Sequence, residues 1–403
     1  MAAAGDLPGA PVRLEEREGR EERGGREGRE GRAGLSLETR EAPDRPAGPR
    51  RRRWALAAVR AAGSLAALAL LAFLFRRADL GRVRALIAAA PWLLATPLFY
   101  LGVLACDALG WRRLVMGAER PVSFWRLLEV RTAAESLGLS LPSGGVLAEG
   151  MAVYLLRRVC GVRPGLAVAS LAARRFFIFF SFGLVLAASA AAGYSLLGAI
   201  SPRVIGRGGL EWAVPLAAAF MLLVAFGLRI ALLGGELAGR MFRGLSVLPI
   251  AALRHWLERR ADSFSEVDRQ VEASLRGRRG GPVLTTLCYL GIWISETCET
   301  WFILTLLGAG LSWRTVFCFD PLLTLTRGLA FFTPSGLGVQ DLGYHAFLKG
   351  LGVAQAINVW GAFVLVKRGK EIFWIIIGYL LLARHAWRPS VGAGEGPGPA
   401  GNA

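Results

Sequence analysis

The residues best suited to chemistry occur in two stretches that break strongly apolar sequence and carry their polar groups in the same order. In the first, Pro142, Ser143 and Gly144 are followed, seven residues after the proline, by Glu149 and then by Arg157. In the second, Pro334, Ser335 and Gly336 lead through Gly338 and Gln340 to Asp341, again seven after the proline, and then to Lys349. A dibasic pair trails each, Arg174 and Arg175 after the first, Lys367 and Arg368 after the second. Proline removes a backbone donor and glycine loosens the backbone, so each stretch should interrupt a helix and free polar backbone groups. A helix restarting at Gly144 or Gly336 would turn unpaired N–H groups and the positive end of its dipole toward a cavity, which suits a phosphate. The basic side chains would neutralise such a headgroup, with Glu149 and Asp341 pairing with them in the empty state. Plainer roles fit the same residues: a tight turn for each Pro-Ser-Gly, ordinary salt bridges for the acids, and snorkelling to the membrane surface for the dibasic pairs.

Other candidates yield less. Glu296 and Glu299 share roughly one face of an apolar span at i, i+3, as a candidate proton or cation relay or as partners of a bundle arginine. Tyr344 and His345, after the second break, suit interface packing. Ser143 or Ser335 beside its acid is the one nucleophile-and-base arrangement offered, and neither serine has a histidine partner, so no catalytic residue is assigned. The five cysteines and three histidines show no metal-like spacing, so neither a disulfide framework nor a metal site is expected, and no cofactor. The absence of a Gly-x-x-x-x-Gly-Lys loop argues against ATP hydrolysis in this chain.

Positioning these residues falls to membrane helices. The chain is 54% apolar with a mean hydropathy of +0.43, and several apolar runs exceed the ~18 residues that indicate a span. Residues 176–200 are apolar almost all round, unlike the amphipathic stripes of a soluble helical core. The expected fold class is therefore all-α and polytopic. Residues 1–53, with 13 arginines against 11 acids, are expected to be a disordered cytoplasmic tail. No signal peptide is visible, and Arg50 to Arg53 before the first apolar run place the N-terminus in the cytoplasm. The net charge of +18 arises mostly beside the apolar spans, where arginines act as topology signals and headgroup contacts, so no nucleic-acid partner is expected.

The transmembrane domain should cover 54–385. Spans are expected at 54–75, at 86–106 ending before Asp107, at 164–200, 212–234, 282–308 and 353–384, with a basic turn from Arg76 to Arg84. Half-helices 121–140 and 146–158 flank Pro142, and half-helices 313–332 and 338–350 flank Pro334, each pair re-entrant. An amphipathic loop at 235–281, with nine arginines, belongs in the cytoplasm, and a tail at 389–403 carries no structural signal and is expected to be disordered. Gly117 and Ala118 match Gly308 and Ala309 at a similar interval, so the ordered series argues for duplication, with repeat one at 86–200 and repeat two at 282–385. Three spans separate equivalent points, which inverts the second copy, a recurring plan of transporters. The basic turn at 76–84 then falls outside, against the charge rule.

The second break, from Pro334 to Asp341 and on to Val366, Lys367 and Arg368, resembles the signature of flippase-like integral membrane proteins related to the transmembrane region of lysylphosphatidylglycerol synthases. Glu135 and Ser136 through Pro142 to Glu149 resemble that family's other signature. The run from Ser295 to Trp301 is similar to the hopanoid-biosynthesis-associated members. Two positions depart from the pattern: Asp341 stands where glutamate is usual, and Ala148 precedes Glu149 where glycine is common. The resemblance implies a multi-pass protein of the cytoplasmic membrane that moves a phospholipid or isoprenoid-linked lipid between leaflets. The headgroup, expected to be anionic, would be held in a polar cavity between the re-entrant helices. Lipid-biosynthesis enzymes are the candidate protein partners. Ending near 403 without the soluble aminoacyl-transferase domain of the synthases, the chain is not expected to be an enzyme. The alternatives are a membrane-embedded lipid transferase or a non-transporting scaffold for a lipid-modifying complex.

Overall fold

The computed structural model describes residue 65 and residues 68–115, 121–141, 144–233, 281–329 and 338–387, and every regular element among them is helical. The expectations for 1–53, for nearly all of the 235–281 loop, for the 389–403 tail and for most of the 54–75 span lie outside the described residues. So do Pro142, Ser143, Pro334, Ser335 and Gly336.

The chain departs first from its sequence reading near Asp79. That carboxylate accepts the Arg82 amide at 3.1 Å and so starts α1 (Leu80–Ala88) within the stretch expected to be a basic turn. The Asp79 amide in turn donates to the Asn358 side chain at 3.0 Å. Pro91 cannot donate into a continuing helix, and the chain passes through a 3-10 turn, Pro91–Ala95, into α2 (Thr96–Leu114). This helix runs seven residues beyond Asp107, which therefore lies buried in its interior instead of marking its end.

Next come α3 (Phe124–Ser140) and α4 (Gly144–Cys160), 17 residues or ~25 Å each, folded back on one another. The longest element is α5 (Pro164–Ile205), 42 residues or ~63 Å, closed by Gly206 with φ 75°. It folds back as α6 (Leu210–Leu233), which leaves Leu216, Phe220, Leu223 and Phe226 exposed, as a lipid-facing helix should. The remaining helices are α7 (Gly281–Leu306), α8 (Trp313–Leu329), α9 (Val339–Gly350) and α10 (Ala356–Trp387). By length and apolarity Pro91–Leu114, Pro164–Ile205 and Leu210–Ile230 suffice to cross a membrane. The long helix α10 instead carries Lys367, Arg368, Lys370 and Glu371 at its middle.

Packing between the two halves is reciprocal. Helix α2 lies along α7, α3 lies along α10, and α8 lies along α5. Glycine brings the last two pairs close: a Cβ at Gly378 would lie 2.5 Å from Ser136 Cβ, and one at Gly193 would lie 2.7 Å from Cys318 Cβ. Ser189 Oγ adds a hydrogen bond to the Cys318 carbonyl at 3.1 Å. Two apolar cores result. One gathers α2, α3, α4 and the first half of α5 with the end of α10, and the other gathers α8, α9 and the first half of α10 with the end of α5. Helix α5 thus runs from the first core to the second, and α10 from the second to the first.

Candidate functional site

Each core encloses a cluster of charge. In the first, Asp107, only 3% exposed, accepts Arg174 Nε at 2.7 Å and Nη2 at 2.5 Å, a two-pronged contact, and Arg131 Nε at 2.5 Å. Arg131 also pairs with Glu135 one turn along α3 at 2.5 Å, and the Tyr100 hydroxyl donates to Glu135 at 2.7 Å. Arg174 lies 5.5 Å from the centroid of the Trp111 ring, and the indole N–H is bonded to Ser170 Oγ at 3.1 Å. From α4, Glu149 closes the cluster by accepting Arg174 Nη1 at 3.1 Å and pairing with Arg175. Three carboxylates face three guanidiniums, so the cluster is neutral in formal charge.

The second cluster is built from the matching helices. Glu299 on α7 accepts Lys370 Nζ at 2.6 and 2.9 Å, with both side chains buried. Asp320 on α8 accepts the Tyr344 hydroxyl at 2.6 Å and the Thr297 hydroxyl at 3.0 Å, and Lys367 Nζ reaches Tyr344 at 3.2 Å and Thr300 at 3.1 Å. On α9, Asp341 accepts Arg368 Nη2 at 2.8 and 2.9 Å, while Arg368 Nη1 donates to Glu371 at 2.6 Å. Asp341 also folds back to accept the Gly338 amide at 3.0 Å, capping its own helix. Gly338 holds φ 84° there, a conformation only glycine adopts at little cost. The two clusters meet: Lys370 Nζ lies 4.7 Å from the Tyr100 ring centroid, and Arg327 on α8 stands within electrostatic reach of Glu296 and Glu371 on its own side and of Tyr100 and Glu135 across the interface.

Of the residues selected from sequence, Glu149, Arg174 and Arg175 come together, as do Asp341, Lys367 and Arg368. Gly144 is buried where α4 begins, and a Cβ there would run into the Leu137 carbonyl. Gly338 and Gln340 are buried at the start of α9. Arg157 and Lys349 are exposed in the last turns of α4 and α9, where they complement the helix dipole and take no part in either cluster. Of the relay pair, Glu299 is held by Lys370, while Glu296 is within electrostatic reach of Arg327, Lys367, Lys370 and Asp320. His345 is half-buried against Trp360.

Sequence reasoning missed Asp107, Arg131, Glu135, Asp320, Arg327 and Lys370 as members of the site. A constant interval along the chain could have found several. Asp107 and Glu299 are separated by 192 residues, as are Glu149 and Asp341, and so are Glu135 and Arg327, where an acid corresponds to a base.

No group of three or more histidine, cysteine, aspartate or glutamate side chains suited to a metal ion occurs among the described residues. Compared with known proteins, residues 59–377 match the family described as the lysylphosphatidylglycerol synthase TM region. No curated protein and no solved structure matches the chain.

Proposed function

We propose, from the premise that the chain belongs to the lysylphosphatidylglycerol synthase transmembrane-region family, that it is a lipid-transport protein moving a lipid with an anionic headgroup between the leaflets of the cytoplasmic membrane. The observation that carries this reading is the graded exposure of the two charge clusters. Arg174 is 2% exposed and fixed by Asp107, whereas its neighbour Arg175 is 38% exposed and depends on Glu149. In the second cluster Arg368 is 18% exposed and shared between Asp341 and Glu371. Each half thus offers a partly open guanidinium already paired with a carboxylate, which an incoming phosphate can replace with similar geometry. Charges at membrane depth cost ~2.5 kcal/mol or more each, so a ligand role is the default reading for such groups.

The helix lengths support re-entrant pairs. At 12 residues, α9 spans ~18 Å, short of the ~30 Å hydrocarbon core, and α3, α4 and α8 at ~25 Å also fall short. The reciprocal packing and the opposite courses of α5 and α10 through the two cores support an inverted repeat, with the path between the halves. In this scheme the N-terminus is cytoplasmic and the chain carries no catalysis of its own.

The test is leaflet translocation of labelled phosphatidylglycerol, phosphatidylcholine and polyprenyl phosphate in proteoliposomes. Wild type should move an anionic lipid, and Arg175→Gln and Arg368→Gln should each slow it about tenfold, the loss of one charged hydrogen bond of ~1.4 kcal/mol. If folded protein with both changes moved lipid at the wild-type rate, the headgroup site would be elsewhere.

A further inference from the structure

A groove of about 460 Å³ opens on the outer face of the bundle where α5, α6 and α7 meet. Its walls are aromatic, from Phe176, Phe177 and Phe180 on α5 and Phe226 on α6, and its mouth carries Arg229 and Thr286. The inner wall is rigid: Phe176 stacks on Phe180 with centroids 5.8 Å apart, and Phe177 stacks on the fully buried Tyr289 at 6.0 Å. A concave, mostly apolar site of this volume with two polar side chains at its edge has the form of a small-ligand pocket.

Its position decides the occupant. Phe226 is 59% exposed on a helix whose apolar span ends at Ile230, so the groove faces lipid and hydrocarbon is what can enter it. Arg229 lies at the end of that span, at the depth of the headgroups, and makes no ion pair with any described residue. We propose that this groove is a resident binding site for one hydrocarbon chain of an anionic phospholipid, whose phosphate lies at Arg229. Bulk lipid would touch all the lipid-facing helices alike, whereas a chain seated between fixed rings beneath an arginine is held at one place and favours an anionic headgroup. The site stands whether or not the protein moves lipid.

The experiment uses the full chain in nanodiscs containing a small fraction of phosphatidylglycerol with a photoreactive group in one acyl chain, followed by mapping of the adducts. Adducts should concentrate on 176–180 and 222–226. Arg229→Gln should lower them about fivefold, the loss of ~1 kcal/mol of headgroup attraction, and Arg229→Lys should retain them. Thr286→Phe, which narrows the mouth, should lower them as well, and photoreactive phosphatidylcholine should label several-fold less. Since Arg229 is an exposed helix-end residue, Arg229→Gln decides the matter even if Thr286→Phe fails to fold. Equal labelling by the two lipids, no change in Arg229→Gln, adducts spread evenly over the lipid-facing helices, or a groove filled by the chain's own residues and unlabelled would each overturn the proposal.

Discussion

Replacing Asp107 separates the sealed part of the first cluster from the part that is open at the surface. Asp107 receives three hydrogen bonds from two guanidiniums and is 3% exposed, so Asp107→Asn keeps the size of the side chain but leaves a net positive charge in the core. Removing one partner of a buried pair costs about 3–5 kcal/mol. Here Arg174 retains Glu149 at 3.1 Å and Arg131 retains Glu135 at 2.5 Å, so we expect the lower end, ~3 kcal/mol. Glu149→Gln should cost ~1 kcal/mol or less, because Arg174 keeps its two-pronged contact and Arg175 is more than a third exposed. Unfolding of the purified protein in mixed micelles, followed by far-UV circular dichroism, measures both. For lipid translocation the order should reverse per unit of stability lost, with Glu149→Gln altering the rate in protein that remains folded. A cost below ~1 kcal/mol for Asp107→Asn, or a Glu149→Gln variant as unstable as it, would refute the division into a fixed and an open carboxylate.

Two further outcomes follow from the packing. A Cβ at Gly378 would sit 2.7 Å from the Thr132 carbonyl oxygen as well as 2.5 Å from Ser136 Cβ, so Gly378→Val should force α10 from α3 and cost roughly 1–3 kcal/mol in the same unfolding assay. Gly145→Ala, with nothing within 4 Å, should stay within ~0.5 kcal/mol and serves as the control. Across the interface, Glu135→Gln and Arg327→Gln should show a coupling of roughly 0.5–1 kcal/mol in a double-mutant cycle, and additivity within ~0.3 kcal/mol would mean that the halves are not linked there.

What the sequence reveals and what it conceals follow from range. The polar breaks, the acids that follow them and the dibasic pairs are local departures from an apolar background, so Glu149, Arg174, Arg175, Asp341, Lys367 and Arg368 can be picked out by eye. Asp107 could not be, because an acid next to Trp111, Arg112 and Arg113 reads as the end of a span. The helix continues past it to Leu114, and its contact with Arg174, 67 residues away, is what accounts for its burial there. The start of α1 was similarly hidden, since Arg76 to Arg84 looks like a loop by charge alone, while Asp79 supplies the cap. Arg157 and Lys349 were selected for spacing that turns out to be the spacing of helix ends.

Stability alone does not account for placing charge here. A buried ion pair replaced by apolar residues of similar volume is often neutral or more stable, so six charges around Asp107 are a poor way to hold helices together. The arrangement differs from a purely structural lock in one respect, its gradient. Asp107 and Arg174 are sealed and two-pronged, whereas Glu149 on α4 and Arg175, the next residue along α5, are 20% and 38% exposed. The sealed pair holds the guanidinium of Arg174 in α5, while Glu149 on α4 is the more exposed of its two carboxylate partners. In the second half Asp341 occupies the same place on α9 and Glu371 gives Arg368 a second partner, so displacing Asp341 leaves Arg368 neutralised and held. The two halves should therefore release their carboxylates at different cost, the first more readily opened to an anion by losing a single contact at Arg175, the second more easily restored. Measuring translocation of the two single variants Glu149→Gln and Asp341→Asn from each side of the membrane tests that difference: unequal effects are expected, and identical effects from both sides would argue for a symmetric path.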